Sequence, residues 1–112
     1  MQHRDIVIIG KIKDEAVIAL DMITNMTSDE FVSNEVIKRA VCMTVINIGE
    51  LVKNLSDETR TAYSNIPWRA IAGFRDIAAH KYQTLYMGDV FKTVSGDFPE
   101  LIKSVDEILK KS

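Results

Sequence analysis

The sequence predicts an all-α protein, an antiparallel bundle of four to five helices, from three observations. Apolar residues recur at spacings of three and four through most of the 112-residue chain, as on one face of a helix. The alternating and β-branched runs that signal strands are almost absent. Residues that cap helix N-termini, together with Gly and Pro, separate the periodic segments. Because no linker or repeat interrupts this pattern, we expect residues 1–112 to form a single domain.

The first helix is expected over residues 5–24. Its apolar stripe consists of Ile9, Ile12, Ala16, Leu20 and Ile23. Thr27, with Glu30 three residues later, then supplies N-cap chemistry for a short turn through Phe31. This segment is expected to lead into the next helix.

The second long helix is expected to be capped by Asn34 and to continue to Leu55. Its main stripe is Ile37, Val41, Val45, Ile48, Val52 and Leu55. Further apolar residues lie elsewhere on its surface, at Val36, Ala40, Met43 and Ile46. A helix that is apolar on more than one side lies at the centre of a bundle or in an oligomer interface.

Cap and proline signals define the segments that follow. Ser56 predicts a cap for a short segment that ends near Tyr63. Pro67 is well placed in the first turn of a third helix, which is expected to run to about Tyr82.

Glycine and proline residues, which interrupt helices, then predict two separate helices, one around residues 89–94 and one over residues 99–110. The punctuating residues are Gly88, Gly96 and Pro99. The apolar set of the last helix is Leu101, Ile102, Val105, Ile108 and Leu109.

Charge and composition exclude several classes of protein. The net charge of -2 and the pI near 5.6 argue against sequence-independent binding of nucleic acid over a broad surface. A local basic cleft remains possible around Arg69, Arg75, His80 and Lys81.

The single cysteine, Cys42, lies in an apolar helical pattern and is expected to be a buried thiol in a reducing cytoplasm. The apolar run at residues 6–9 is too short for a signal peptide or a membrane span, so we expect a cytoplasmic protein.

The segment whose residue types are best suited to catalysis is residues 75–82, Arg-Asp-Ile-Ala-Ala-His-Lys-Tyr. A guanidinium can hold a phosphate through a planar fork of donors, and an imidazole exchanges protons near neutral pH. Arg75 and His80 are therefore sufficient, in principle, for phosphodiester chemistry without a metal.

A helical wheel gives this segment a core side and a partner side. The residues expected to face the core are Ile71, Phe74, Ile77 and Ala78. The opposite stripe, where small residues would admit another backbone, consists of Ala72, Asp76 and Ala79. Arg75 and His80 flank this stripe about 140° apart, too far for direct contact along one helix. We therefore expect them to cooperate only across two copies of the helix, with Tyr82 near the angle of Arg75 if the helix persists that far.

Ordinary interpretations of the same residues stay open. An arginine on a helix surface is usually solvated or half of a weak ion pair. Asp76 could simply accept the proton of His80 one turn later. Glu50, the one unusual carboxylate, is expected to be a surface group rather than part of a site.

Metal and cofactor sites are not predicted. The two histidines, His3 and His80, are far apart, there is one cysteine, and no paired ligand spacing occurs. The glycines are isolated, so no phosphate-cradling loop is present.

Residues 75–82 resemble the Arg-x-x-x-x-His-x-Tyr signature of the HEPN superfamily, and specifically of the HepT toxins. Residues 48–50 are similar to the Ile-Gly-Glu of that family's second helix, and residues 66–73 to its Ile-Pro-Trp-x-x-Ile-x-Gly approach to the motif. Residues 97–101 are similar to its Asp-Leu-Pro-Glu-Leu. These elements occur in order and cover most of the chain.

The resemblance implies a small, all-helical, HEPN-like homodimer whose composite cleft brings together Arg75 and His80 from both subunits. It also implies a metal-independent endoribonuclease toxin encoded beside an MNT-type nucleotidyltransferase antitoxin. In that family the antitoxin silences the toxin by transferring AMP to the motif tyrosine, here Tyr82.

Two functions are consistent with these residues. In the first, RNA cleavage, His80 acts as general base on a ribose 2′-hydroxyl or as general acid on the leaving 5′-oxygen, and Arg75 stabilises charge on the phosphate. Asp76 would support the site by orienting His80, and the product would be a 2′,3′-cyclic phosphate. The alternative is a non-catalytic binding module that docks a nucleotidyltransferase and presents Tyr82. The sequence leaves open whether the RNA target is messenger or transfer RNA.

Overall fold

The computed structural model describes the whole chain, Met1–Ser112, and confirms the predicted all-α fold. The helices are α1 (His3–Ile23), α2 (Ser28–Val32), α3 (Glu35–Lys53), α4 (Asp57–Ala62), α5 (Trp68–His80) and α6 (Met87–Lys110). A 3-10 turn (Tyr82–Thr84) joins α5 to α6. None of these helices combines the length and the apolar character needed to cross a lipid bilayer.

Side-chain caps fix three of the predicted helix starts. The Thr27 hydroxyl accepts from the N–H of Glu30, whose carboxylate accepts from the N–H of Thr27 at 2.8 Å. The side chains of Asn34 and Ser56 each accept from the backbone N–H three residues later, at 3.0 and 3.2 Å. Each cap satisfies a donor that has no partner within its helix, which is why α2, α3 and α4 begin where the sequence predicts.

The prediction of two C-terminal helices is wrong, because α6 is continuous through Gly96 and Pro99. Pro99 has no N–H to donate to the carbonyl of Ser95, but both residues are exposed, so water can reach this carbonyl. One buried stripe runs along the whole helix: Val90, Val94, Phe98, Leu101, Val105 and Ile108. Burying this stripe outweighs the local cost of the glycine and the proline.

The motif helix stops earlier than expected. α5 ends at His80, Lys81 leaves the helical region with φ −130° and ψ 30°, and Tyr82 begins the 3-10 turn. The condition for placing Tyr82 at the wheel angle of Arg75 is therefore not met.

α1 packs against α3 and α6, α5 packs against α3, and α2 packs against α6 and α3. The largest fully buried side chains are Phe31, Ile9, Ile12, Ile48 and Val41. Cys42 is buried among them, as predicted, and burial raises the pKa of its thiol. Because α5 packs mainly on α3, residues of α3 decide what surrounds the motif.

A buried carboxylate ties α1 to the corner that leads into α4. Asp5 is fully buried and accepts from the hydroxyls of Ser56 and Thr59, both at 2.6 Å, and from the N–H of Ser56 at 3.2 Å. These hydrogen bonds hold the pKa of the Asp5 carboxyl below its usual range. These three hydrogen bonds, here called the Asp5 clamp, fix the chain segment between α3 and α5.

Candidate active site

α5 crosses α3 at Gly49, and this crossing positions Arg75. A β-carbon added at Gly49 would lie 2.0 Å from Cβ of Arg75 and 2.4 Å from its Cγ. Only a residue without a side chain allows the two helices to approach so closely. The Arg75 side chain is consequently packed against α3, with 20% of its surface exposed.

Two carboxylates hold the guanidinium of Arg75. Nη2 forms an ion pair with Oε1 of Glu50 on α3, and Nη1 donates to Oδ1 of Asp76 at 3.1 Å. Lys53, also on α3, donates to the same Oδ1 at 2.6 Å. Nε of Arg75 is buried and has no hydrogen-bond partner. These four side chains, here called the charge cluster, therefore pair two cations with two carboxylates.

The ammonium of Lys53, hydrogen-bonded to Asp76, and the neighbouring Arg75 hold the pKa of the Asp76 carboxyl below its usual range. Asp76 is thus an anion at neutral pH and serves both cations. It makes no hydrogen bond to His80 within the chain, so the predicted role of Asp76 in orienting His80 has no contact to support it.

His80 is the last residue of α5, and its side chain is exposed. Since the helix is unbroken from Arg75 to His80, their separation of about 140° around the axis applies. Arg75 packs against α3, whereas His80 is open to solvent, and no hydrogen bond or ion pair joins the two residues.

One residue of the predicted core side of α5 is wrong. Ile77 is 46% exposed, whereas Ala78 is buried and Ile71 and Phe74 pack against the core as predicted. The physical reason is Gly49, which draws Arg75 itself into the contact with α3 and rotates the buried face toward it. In the predicted partner stripe, Ala72 and Asp76 are half-buried and Ala79 is exposed.

Tyr82 lies outside the charge cluster. Its ring is covered by Arg39 of α3, whose Cζ is 5.1 Å from the ring centroid. Its hydroxyl oxygen is buried and has no hydrogen-bond partner.

Glu50 is exposed, as the sequence predicts, and it also pairs with Arg75. Neither Lys53 nor Arg39 was predicted to lie near the motif. A usable signal existed for Glu50, since it directly follows the mid-helix glycine, a residue type that often marks a close helix contact. Lys53 and Arg39 look like ordinary solvated cations in the sequence. The crossing of α3 with α5 brings Lys53 to Asp76, and the turn after α5 brings Tyr82 to Arg39.

A cavity of about 400 Å³ lies beside Glu50, between α1 and α3. Its lining residues are Lys11, Asp14, Glu15, Asn47, Glu50 and Leu51. Three carboxylates against one lysine make this side of the site unfavourable for a polyanion.

No three His, Cys, Asp or Glu side chains lie close enough together to hold a metal ion.

Comparison with known proteins relates the chain to a family of ribonucleases. The model of the family described as "Ribonuclease HepT-like" matches residues 12–108. A "Putative RNase" of Caldanaerobacter subterraneus subsp. tengcongensis is 36% identical over 100 residues, which cover 89% of each chain. A "Putative RNase" of Methanocaldococcus jannaschii is 36% identical over 95 residues, 81% of this chain and 82% of that protein.

A more distant relative carries a more specific name. The "Probable ribonuclease HepT" of Thermococcus cleftensis is 28% identical over 96 residues, 82% of this chain and 87% of that protein. No solved structure matches the chain.

Proposed function

The chain belongs to the HepT-like ribonuclease family, and we propose that it is a metal-independent endoribonuclease whose active site combines Arg75 of one subunit with His80 of another. One observation carries this proposal. The unbroken helix α5 fixes Arg75 against α3 and leaves His80 exposed about 140° away, so the two are not in contact. We infer that a second copy of the chain supplies one of them, so that both act on one phosphate.

The surface of α3 supports a homodimer in which α3 and α5 meet their copies. Val36, Met43 and Glu50 follow each other at intervals of seven residues and therefore share one face of the helix. Val36 is 75% and Met43 55% exposed. Large apolar side chains exposed in one line suit a helix that packs against another helix, and this line leads directly to the charge cluster.

In the proposed reaction, the imidazole of His80 removes the proton of a ribose 2′-hydroxyl, and the oxygen attacks the adjacent phosphorus. The bond from phosphorus to the 5′-oxygen breaks, and an imidazolium returns a proton to that oxygen. The products are a 2′,3′-cyclic phosphate and a 5′-hydroxyl. Arg75 stabilises the negative charge that builds on the phosphate oxygens.

The test is RNA cleavage by purified Arg75→Ala and His80→Ala variants. Each is expected to lose about 10²- to 10⁴-fold in rate, since each removes a group that acts on the transition state. His80→Ala should leave helical content by circular dichroism unchanged, because His80 is exposed. EDTA should have no effect on the wild type. Loss of cleavage in EDTA, or a His80→Ala variant with nearly full rate, would contradict the mechanism.

The toxin-antitoxin role implied by the motif is a second part of the proposal. A nucleotidyltransferase antitoxin of the MNT type would transfer AMP from ATP to the phenolic oxygen of Tyr82, forming a phosphodiester and releasing pyrophosphate. The burial of this oxygen means that the segment after α5 has to open before transfer. The attached phosphate would be attracted to Arg39, which already lies over the ring, and the added nucleoside would obstruct the cleft.

A pair of tyrosine variants tests this regulation. Tyr82→Phe lacks the acceptor oxygen and should gain no mass when incubated with the cognate nucleotidyltransferase and ATP, while it keeps cleaving RNA. Tyr86→Phe is the matched control, because Tyr86 is a nearby tyrosine that is 70% exposed. It should be modified and inhibited like the wild type. Inhibition of the wild type without added mass would instead indicate that the partner acts by docking alone.

A further inference from the structure

We propose that Lys53 is a further substrate-binding residue of this site, whose ammonium binds an RNA phosphate next to the one that is cleaved. The inference rests on the proposed ribonuclease function. It concerns how the site holds its substrate rather than which groups perform the chemistry.

Exposure within the charge cluster is graded, and Lys53 is its accessible cation. The Lys53 side chain is 39% exposed and that of Asp76 49%, against 20% for Arg75. Both η nitrogens of Arg75 face carboxylates, whereas the Lys53 ammonium has three donors and hydrogen-bonds to one carboxylate, that of Asp76. A phosphate that approaches from solvent therefore meets the ammonium of Lys53 before it meets the guanidinium.

The charge balance makes Lys53 necessary for this approach. Without it, Glu50 and Asp76 would face Arg75 alone, and the cluster would carry an excess of one negative charge. The cavity on the other side of Glu50 is acidic as well, with Asp14 and Glu15 against a single lysine. An RNA strand is thus repelled from the α1 side and attracted on the Lys53 side.

Asp76 also sets the distance from Lys53 to His80. The ammonium is fixed to Asp76 at 2.6 Å, and Asp76 precedes His80 by four residues on the same unbroken helix. Four residues correspond to about 6 Å along the helix axis and about 40° around it. Lys53 and His80 are therefore held on the same flank of α5, where they would contact neighbouring groups of one strand.

Equilibrium binding of a fluorescein-labelled oligouridine, measured by anisotropy in the His80→Ala background, tests the inference without interference from cleavage. Adding Lys53→Ala should weaken binding about tenfold at low salt, as expected for the loss of one hydrogen bond to a charged group. The slope of log K against log salt should become shallower by about 0.7, the value for one phosphate contact on a single strand. Lys53→Arg keeps the charge and should retain most of both.

The matched control is Lys103→Ala, which removes an exposed lysine of α6 that has no ion-pair partner and lies outside the charge cluster. It changes the net charge equally and should leave the slope unchanged. An equal slope change in both variants would show that the effect comes from the net charge of the protein, and would overturn the inference. So would a Lys53→Ala protein with the slope of its parent.

Cleavage kinetics in the active background separate binding from positioning. Lys53→Ala should raise KM and largely keep kcat, because a phosphate contact made in the ground state persists in the transition state. A fall in kcat at constant KM would mean that Lys53 only positions Asp76 and Arg75, and would overturn the inference. If the wild type cleaves no RNA but the Lys53-dependent slope persists, the proposed ribonuclease function fails and the phosphate site stands.

Discussion

The chemistry available to Arg75 is decided by a residue that has no side chain. Gly49 allows the α5 backbone to approach α3, and this approach brings the guanidinium to Glu50 and the carboxylate of Asp76 to Lys53. An arginine on an open helix face would have kept its η nitrogens solvated. The charge cluster is therefore a product of the helix crossing.

Gly49→Ala is expected to disrupt this crossing. The new methyl group would lie 2.0 Å from a backbone-proximal atom of Arg75, which no rotamer change relieves, so α5 has to move. We expect a loss of about 1–3 kcal/mol in the free energy of unfolding and a loss of cleavage, measured by urea denaturation and RNA turnover.

Gly10→Ala is the control for this prediction, because nothing lies within 4 Å of a β-carbon at Gly10 in the middle of α1. It should be neutral or stabilise the protein by about 0.5–1 kcal/mol. Wild-type stability and activity in Gly49→Ala would show that α5 does not depend on the close approach.

The motif residues could be predicted from the sequence, and their surroundings could not. Residues 75–82 stood out by residue type and spacing alone, and the family match supports the resemblance drawn from them. Glu50 and Lys53 lie more than twenty residues before Arg75, so only the packing of α3 on α5 brings them to it. The exposure of Ile77 could not be predicted either, because a helical wheel of α5 alone takes no account of Gly49 on α3, which rotates the buried face.

At the scale of elements, local capping chemistry was the most reliable predictor. Thr27, Asn34 and Ser56 each cap a helix within a residue of the expected position, because a cap depends only on neighbours in sequence. α6 shows the opposite case. Its glycine and proline predicted a break, and burial of a stripe against the rest of the bundle kept the helix continuous.

The Asp5 clamp leads to a prediction about acid stability. Because hydrogen bonds hold the folded-state pKa of Asp5 below its unfolded value of about 3.9, the stabilisation is complete above that pH and is lost as pH falls through the folded-state pKa. Asp5→Asn removes the charged acceptor and should lower the free energy of unfolding at pH 7 by about 2–3 kcal/mol. The difference from wild type should shrink as the pH falls below about 4.

Urea unfolding at a series of pH values measures this difference. Asp14→Asn serves as the control, because it removes an exposed carboxylate of the same helix, and it should change the free energy of unfolding at pH 7 by less than about 0.5 kcal/mol. A difference between Asp5→Asn and wild type that stays constant down to pH 2 would show that the charge of Asp5 does not contribute.

At the scale of the whole molecule, the acidic chain has to confine RNA contact to a small region. Its net charge is -2, and the charge cluster is itself neutral, so affinity depends on where single cations are exposed. Pairing two subunits would double the number of such cations along one cleft. A site completed by a second copy is consistent with a chain whose Arg75 packs against α3 while its His80 is exposed.

Subunit mixing tests this arrangement directly. Neither Arg75→Ala nor His80→Ala is expected to cleave RNA alone, but a mixed dimer retains one Arg75 and one His80 on different chains. If the site is shared, that dimer has one intact combination of the two residues. Unfolding the two variants together at equal concentration and refolding them makes about half of the dimers mixed, so about a quarter of wild-type activity should return. Refolding each variant separately is the control and should restore nothing. A mixture as inactive as its components, while mixed dimers are detected by native mass spectrometry, would show that one Arg75 and one His80 on different chains do not make a site, and would overturn the proposed arrangement.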